Sequence, residues 1–274
     1  MDAIYEKLTI QNDFIFKKVF EDKEMLKKLL KIILPDRDFS DLEIVISEST
    51  MDVFPFSKGI RLDIYAEDST SVLIIEMQVL PYGMDPRRAR YYQGMADVDK
   101  LLKGMDYHKL KDVITIFICP FDPIGDNMMV NIYKFLNTVT GRDHNDGRTH
   151  IYINCAGKDS ELYPELKPFA DYVMGKMSDD PFVQEVDRRV KMARQNPQWR
   201  LEFMTLYEKI RFEKEISRKE GWDEGKILER IDLINRKMAK GRSFEEACEL
   251  LDLTPEEIDE CRKYMDTGLF LALN

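Results

Sequence analysis

Residues 59–78 have the sequence Gly59-Ile-Arg-Leu-Asp-Ile-Tyr-Ala-Glu-Asp-Ser-Thr-Ser-Val-Leu-Ile-Ile-Glu-Met-Gln78. A polar segment, Glu67 to Ser71, separates two short apolar runs, which is the pattern of a β-hairpin. Because side chains alternate between the faces of a strand, Asp63 lies on one face of the first strand, and Glu76 and Gln78 share a face of the second. The sequence therefore predicts that a carboxylate from each of two paired strands converges on one point.

Two interpretations of this carboxylate pair remain open at this stage. Carboxylate oxygens are the ligands that Mg²⁺ prefers, with waters and substrate phosphate completing its octahedron. Acidic residues in strands are, however, usually solvent-facing. Glu76 follows Val72-Leu-Ile-Ile75, a run typical of a strand that is buried on both faces. A charge there is costly unless it is paired or holds a metal, so both a metal site and a solvent-facing pair stay possible.

The composition is that of an ordinary soluble protein. The chain has 274 residues, of which 44% are hydrophobic and 34% are charged, enough for one α/β domain and a smaller appended unit. No apolar run approaches the ~18 residues that span a bilayer, and the amino terminus lacks the layout of a secretory signal. The four cysteines form no CxxC pair, and the three histidines show no zinc-site spacing. We therefore expect a cytoplasmic protein without a membrane segment.

The net charge of −10 argues against non-specific wrapping of nucleic acid, which needs a basic footprint. It does not exclude an enzyme that holds phosphates locally, because the local field depends on where the charges lie. Several basic residues are close in sequence to the hairpin and to the helix predicted after it, namely Lys58, Arg61, Arg87, Arg88 and Arg90.

The predicted order of elements is helix, strands, helix, strand, hairpin and helices, which indicates a mixed sheet with helices on its faces. An apolar run, Val113 to Cys119, predicts a buried strand that ends at Pro120. Asp85 is placed to cap a helix that starts at Pro86. The remaining predicted elements are a helix that begins at Asn12 or Asp13, a strand from Leu42 to Glu48, and a second hairpin formed by Asn131–Val139 and Arg148–Cys155 around Asn145-Asp146-Gly147.

Glycine- and proline-bearing stretches predict three parts of the chain. They are a main domain, residues 1–180, a helical connector, residues 181–225, and a small helical unit, residues 226–274. The small unit begins with a capping box at Ser243 and is helix-turn-helix in outline.

The second helix of that unit is acidic, with Glu256, Glu257, Asp259 and Glu260. Carboxylates on this helix would repel DNA phosphates, so a role in packing or dimerisation is favoured over a role in reading bases.

Five motifs follow one another in a characteristic order. They are Asn12-Asp-Phe-Ile-Phe-Lys-Lys-Val-Phe20, Asp63 followed by Glu76-Met-Gln78, Arg88-Ala-Arg-Tyr-Tyr92, Asp146-Gly-Arg-Thr-His-Ile-Tyr-Ile-Asn154 and the glycine-bearing tail Glu220-Gly-Trp-Asp-Glu-Gly225. Their combination, over nearly the whole chain, resembles the PD-(D/E)XK nuclease superfamily, and in particular its bacterial branch of transposase-like or recombination-promoting nucleases. The resemblance implies an α/β fold of the restriction-endonuclease-like type, with a mixed central sheet flanked by helices and an all-helical carboxy-terminal extension.

The resemblance also implies a metal site. Asp63, Glu76 and the carbonyl of Met77 would bind Mg²⁺ or Mn²⁺. Asp13 on the first helix would join the metal shell, with Glu48 as a competing candidate, although Asp13 and Lys17 also fit a surface i,i+4 pair. Most of the superfamily has a lysine two residues after the glutamate.

Here that position is Gln78, which can donate a hydrogen bond but carries no charge. Arg88 is therefore the candidate for the cationic role, since a guanidinium can grip a phosphate bidentately. Arg88, Tyr91 and Tyr92 share one helix face. We predict that Arg61, Tyr91, Tyr92 and Lys17 contact substrate, while core packing explains one of the two tyrosines equally well.

These features together predict a metal-dependent endonuclease that hydrolyses phosphodiester bonds in double-stranded DNA, in transposition or recombination. The prediction includes no small-molecule cofactor and leaves a homodimer open. Two alternatives remain, a catalytically inactive nuclease fold used for binding or assembly, and a nuclease that acts on RNA or single strands.

Overall fold

The computed structural model describes residues 2–45, 62–82, 84–101 and 103–266. Within these residues, one mixed sheet of six strands has the order β1-β2-β3-β4-β6-β5. The β1–β2, β2–β3 and β5–β6 pairs are antiparallel, and β3–β4 and β4–β6 are parallel. The strands are β1 (Glu43–Ile44), β2 (Ile64–Glu67), β3 (Ser71–Met77), β4 (Asp112–Cys119), β5 (Val130–Tyr133) and β6 (Arg148–Asn154).

Helices precede, interrupt and follow the sheet. They are α1 (Asp2–Tyr5), α2 (Asp13–Phe20), α3 (Lys23–Ile33), α4 (Pro86–Lys100), α5 (Lys167–Val173), α6 (Pro181–Gln195), α7 (Pro197–Met238), α8 (Phe244–Glu249) and α9 (Pro255–Asp266). Of the two residues left open at the start of α2, Asn12 is the cap, because its side chain accepts a hydrogen bond from the backbone N–H of Ile15. Asp85 caps α4 in the same way, with Pro86 in the first turn.

The two longest apolar runs of the hairpin region and of residues 113–119 form the central strands β3 and β4. Every residue of β3 is buried, and so is β4 after its first residue, as expected for parallel strands that are covered on both faces. The connection from β3 to the parallel β4 contains α4, which packs against β4. A buried cluster joins the two elements through Ala89, Tyr92, Met95 and Ala96 of α4 and Val113 and Phe117 of β4.

The first strand and the second hairpin of the structure differ in part from their predicted forms. The predicted strand from Leu42 to Glu48 is seen as Glu43–Ile44, and its last residues lie outside the described part of the chain. The pairing of β5 with β6 is confirmed, but the predicted turn at residues 145–147 is wrong.

The chain turns earlier, beyond a bridge between Leu136 and Asp143. Asn145 and Gly147 have positive φ values of 54° and 82° just before β6. Residues that adopt the left-handed region suit a kink before a strand as well as a tight turn, so the motif did not locate the turn.

The chain divides into two compact units, Met1–Phe203 and Met204–Asn274, and the division falls within α7. In the first unit, the hydroxyl of Tyr5 donates to the carbonyl of Ala193, and Arg189 pairs with Asp22 at 3.0 Å, so α6 packs on the amino-terminal helices. The predicted domain limits at residues 180 and 225 stay a prediction.

The second unit has its own small core around Ile231, Ile234 and Cys261. The capping box predicted at Ser243 and Glu246 is present. Glu257 of the acidic helix α9 pairs with Arg230 of α7, so this carboxylate has a partner within the unit. No described helix is long and apolar enough to cross a membrane.

Candidate active site

Asp63 and Glu76 lie together at one end of the first hairpin. The pairing of Ile64 with Ile75 places Asp63 opposite Glu76, one step beyond the ladder. The backbone N–H of Asp63 donates to Oε1 of Glu76 at 3.0 Å, and the backbone N–H of Met77 donates to Oδ2 of Asp63 at 2.8 Å. Each carboxylate thus reaches across to the partner strand, as strand alternation predicts.

Glu76 is a buried carboxylate, with 4% of its surface exposed. Burial raises the pKa of Glu76 well above its ordinary value, and the negative charge of Asp63 raises it further. The charge of Asp13 acts in the same direction more weakly, while Arg88 opposes it. A buried acid beside a second acid is the arrangement that a bound cation would stabilise.

Arg88 is held by three neighbours. Its Nη2 donates to Oε2 of Glu76 at 2.7 Å, its Nη1 donates to Oε1 of Gln78, and its Nε donates to the hydroxyl of Tyr92 at 2.7 Å. The guanidinium carbon also lies 5.0 Å from the ring centroid of Tyr92 and 5.4 Å from that of Phe117. Burial works against its charge, yet Glu76 and Tyr92 raise the pKa of Arg88 above its ordinary value.

Gln78 directly follows β3, two residues after Glu76. Its backbone N–H still donates to the carbonyl of Ile118 at 2.9 Å, and its side-chain Nε2 donates to the carbonyl of Leu80 at 2.6 Å. Its Oε1 accepts from Arg88. The amide thus turns its oxygen toward the guanidinium, so Arg88 supplies the positive charge at this point of the site.

If the two carboxylates serve a metal-dependent nuclease, as the resemblance implies, Gln78→Lys should retain cleavage of plasmid DNA, because it places a cation where that superfamily carries one. The new ammonium would also lie near Arg88, so the unfolding temperature without metal should fall slightly through like-charge repulsion. Gln78→Ala is the matched control, and it should cleave more slowly because it removes the acceptor of Arg88 without replacing the charge. Cleavage and unfolding assays on both variants check this. Loss of cleavage in Gln78→Lys alone would contradict it.

The two neighbouring tyrosines, Tyr91 and Tyr92, differ in burial. Tyr92 is buried and packs on Phe117, with ring centroids 6.1 Å apart, whereas Tyr91 is 37% exposed. Tyr92 therefore lies where it positions Arg88, and Tyr91 is partly open to solvent. The contacts of both tyrosines with substrate stay a prediction.

Lys17 and Asp13 come from α2. Lys17 lines a shallow surface depression together with Asp63, and pairs with Glu21 at 3.7 Å. Oδ1 of Asp13 accepts from the backbone N–H of Phe14 at 2.8 Å, and its charge is felt at Glu76. Arg61 and Glu48 lie outside the described residues.

The carboxylate oxygens of Asp63 and Glu76 are the candidate ligands of a divalent metal ion. Among the residues that the structure describes, no group of three or more His, Cys, Asp or Glu side chains could hold a metal ion. Asp63 and Glu76 nevertheless provide hard oxygen donors at one point, and each oxygen keeps a lone pair beside the hydrogen bond it accepts. Such a pair fits a Mg²⁺ ion that takes one or two carboxylates and completes its shell with a carbonyl, waters and phosphate oxygens.

Sequence reasoning missed Phe117, which the strand register places directly opposite Glu76. The ring supports the guanidinium of Arg88 from the neighbouring strand. Its apolar strand gave no signal of this role, because only the register between β3 and β4 brings it to the site.

A mixed sheet that carries two carboxylates at a hairpin end, beside an arginine from the following helix, defines a nuclease fold of the restriction-endonuclease-like type. Residues 10–162, more than half of the chain, match the family described as PD-(D/E)XK nuclease family transposase. The chain belongs to this family, which confirms the resemblance drawn from its motifs and the predicted fold. Comparisons with curated proteins and with solved structures give no match.

Proposed function

We propose that this protein is a metal-dependent endonuclease that hydrolyses phosphodiester bonds of double-stranded DNA. One observation carries the proposal. Asp63 and Glu76 converge at a hairpin end with Arg88 beside them, inside a chain of the PD-(D/E)XK family. Nucleases of this family generally use divalent metal ions, and Mg²⁺ or Mn²⁺ suits two carboxylates.

In the proposed mechanism, Asp63, Glu76 and the carbonyl of Met77 would hold the ion, with Asp13 as a further acidic neighbour. The bound ion would polarise the scissile phosphate and lower the pKa of the attacking water. The backbone N–H groups of Asp63 and Met77 fix the two carboxylates before substrate arrives. Preorganised oxygens need no rearrangement when the ion binds, which favours catalysis.

Arg88 would stabilise the charge that develops on the phosphate. Its place is fixed by Glu76, by the oxygen of Gln78 and by the hydroxyl of Tyr92. Beyond these three bonds, one N–H of Nη1 and one N–H of Nη2 would be available to phosphate oxygens, since a guanidinium carries five N–H groups. Gln78 would keep the guanidinium oriented, because its Oε1 accepts a hydrogen bond from Nη1 of Arg88.

The proposal assigns the contacts with the rest of the substrate to Lys17, Tyr91 and Arg61. Because the chain has a net charge of −10, the attraction between these residues and the phosphates would act only over short distances. The proposed setting is DNA transposition or recombination in a bacterial cytoplasm, without a small-molecule cofactor, by a monomer or a homodimer.

Relaxation of supercoiled plasmid in MgCl₂ or MnCl₂ tests the proposal. Wild type should nick or linearise the plasmid, and Asp63→Asn should not. Glu67→Gln is a matched control, because Glu67 lies at the opposite end of β2 and pairs with Lys100 and Lys111. Equal activity of wild type and Asp63→Asn, or no metal-dependent cleavage of any DNA, would reject the proposal.

A second candidate function is a nuclease fold used only for binding. Arg88 favours it, because Arg88 already gives Glu76 a positive partner within the chain. The same assay with labelled RNA and with single-stranded DNA separates the remaining alternatives. Binding without cleavage of any of the three nucleic acids, with or without metal, would support the binding module.

A further inference from the structure

The middle of α7, which belongs to the second unit, is a helix that covers no core. Between Phe203 and Ile231, no described side chain of α7 is buried. Phe212, Ile216 and Trp222 are large and apolar, yet they are 64%, 41% and 67% exposed. Exposed apolar side chains that are grouped along one helix indicate a surface that another molecule covers.

The helix is also intrinsically weak over this stretch. Isolated helices are marginal in water, because most helical stability in proteins comes from packing. Gly221 and Gly225 weaken this helix further, since glycine is a poor helix former. A Cβ at either glycine would meet no atom within 4 Å, so packing within the chain does not require them. Contact with a partner would therefore stabilise this part of α7.

Six residues form one line along this part of the helix, because they follow one another at alternating intervals of four and three residues. They are here called the α7 stripe and comprise Glu208, Phe212, Glu215, Lys219, Trp222 and Lys226. All six are exposed. Their intervals are those of the contact positions in a two-stranded coiled coil, so a second helix could pack along the whole stripe.

The α7 stripe is complementary to itself. An antiparallel second copy, related by a two-fold axis at Ser217, brings every stripe residue opposite a complementary one. The facing pairs are Phe212 with Trp222, Glu208 with Lys226, and Glu215 with Lys219. A parallel copy in register would instead place each charged residue against its own like charge, which is unfavourable. The order of charges therefore selects a second copy that runs in the antiparallel direction.

We infer that the α7 stripe pairs with the α7 stripe of a second copy of this chain, which gives an antiparallel dimer with two-fold symmetry. The inference goes beyond the proposed nuclease function and does not depend on it. Nucleic acid is a poor occupant of this surface, because the two glutamates and two lysines of the stripe carry no net charge and phosphates need a basic footprint.

The residues beside the two-fold axis and the length of the contact set the strength of the dimer. Ile216 on one flank would meet its own copy in an apolar contact. Arg218 on the other flank would also meet its own copy, but exposed like charges are screened by water and salt. The paired stretch is about 27 Å long, since each helical residue adds about 1.5 Å. Because this contact is small and largely charged, the dimer should dissociate on dilution.

The test is the mass of the whole chain over a range of protein concentrations, measured by sedimentation velocity. Wild type should pass from monomer to dimer as its concentration rises. Phe212→Ala/Trp222→Ala should weaken the dimer by about a hundredfold or more, because it removes the aromatic contacts from both copies. Leu250→Ala is the matched control and should dimerise like wild type, because Leu250 is 54% exposed in the same unit but lies outside α7.

A charge swap tests the antiparallel direction. Glu208 and Lys226 are about 27 Å apart along one helix, too far to attract each other within a chain. Glu208→Lys and Lys226→Glu should each weaken the dimer about tenfold, because two symmetry-related attractions become repulsions. Glu208→Lys/Lys226→Glu should restore the affinity, since each reversed charge meets the other only in an antiparallel pair. Lys214→Glu, on the outer side of the helix, should have little effect.

Lys226 also lies 5.5 Å from the ring centroid of Trp222 in the same helix. Lys226→Glu loses this contact in the single and in the double variant alike, so the comparison between the two isolates the effect across the dimer. Circular dichroism and thermal unfolding of each variant verify that the fold is retained.

Three results would overturn the inference. The first is a wild-type monomer at every concentration, which would leave the α7 stripe to a different partner. The second is a dimer that Phe212→Ala/Trp222→Ala weakens no more than Leu250→Ala does, which would place the interface elsewhere. The third is a double charge variant that dimerises no better than its two single variants, which would exclude the antiparallel pairing.

Discussion

Asp63→Asn is expected to abolish plasmid cleavage and to leave the metal-free protein at least as stable as wild type. The variant removes one of the two charges that would hold the metal, but it keeps an oxygen that accepts from the backbone N–H of Met77. It also removes the negative charge next to the buried Glu76, where two carboxylates repel each other. Plasmid cleavage and thermal unfolding in EDTA measure the two effects separately.

Asp63→Ala makes the comparison sharper. It too should abolish cleavage, but it leaves the buried N–H of Met77 without its acceptor, which costs about 1–3 kcal/mol. The two variants should therefore be equally inactive and differ in stability. If Asp63→Asn unfolds the protein, the role of Asp63 is structural.

Metal binding gives an independent measurement of the same site. Adding Mg²⁺ should stabilise wild type by RT ln(1 + [Mg²⁺]/Kd), which is about 2.7 kcal/mol at a hundredfold excess over Kd. Asp63→Asn should show little of this shift, and Glu67→Gln should show all of it. An equal shift in all three proteins would mean that the ion binds elsewhere.

The sequence predicted the hairpin and its carboxylates because both depend on local rules. Strand alternation alone places Asp63 and Glu76 on one face once their strands pair. The sequence analysis left open which of the two tyrosines is buried, and the structure shows that it is Tyr92, which shares a buried stripe of α4 with Ala89 and Ala96.

Other features depended on contacts between elements that are distant in sequence. The support of Arg88 by Phe117 requires the register between β3 and β4. The order of the last two strands, with β6 between β4 and β5, is also specified by no local pattern. Asn145 and Gly147 gave a correct signal of left-handed backbone, but that signal does not distinguish a hairpin turn from a kink before a strand.

Arg88→Ala is expected to reduce cleavage by about 10²–10³-fold, the effect of removing one preorganised donor from a developing negative charge. It should also destabilise the protein in EDTA by about 3 kcal/mol, because it leaves the buried Glu76 without its ionic partner. Arg88→Lys should behave similarly, since an ammonium lacks the planar fork of donors that spans Glu76, Gln78 and Tyr92, and its three N–H groups would leave none for a phosphate.

The response of Arg88→Ala to metal separates catalysis from structure. Arg88 and a metal ion both neutralise Glu76, so Mg²⁺ should stabilise Arg88→Ala by more than it stabilises wild type. Stability should therefore recover in Mg²⁺ while cleavage stays low, because the ion replaces Arg88 as the partner of Glu76 but not as the donor to the phosphate. If Mg²⁺ restores cleavage together with stability, Arg88 only positions Glu76, and the charge that stabilises the transition state must come from another residue.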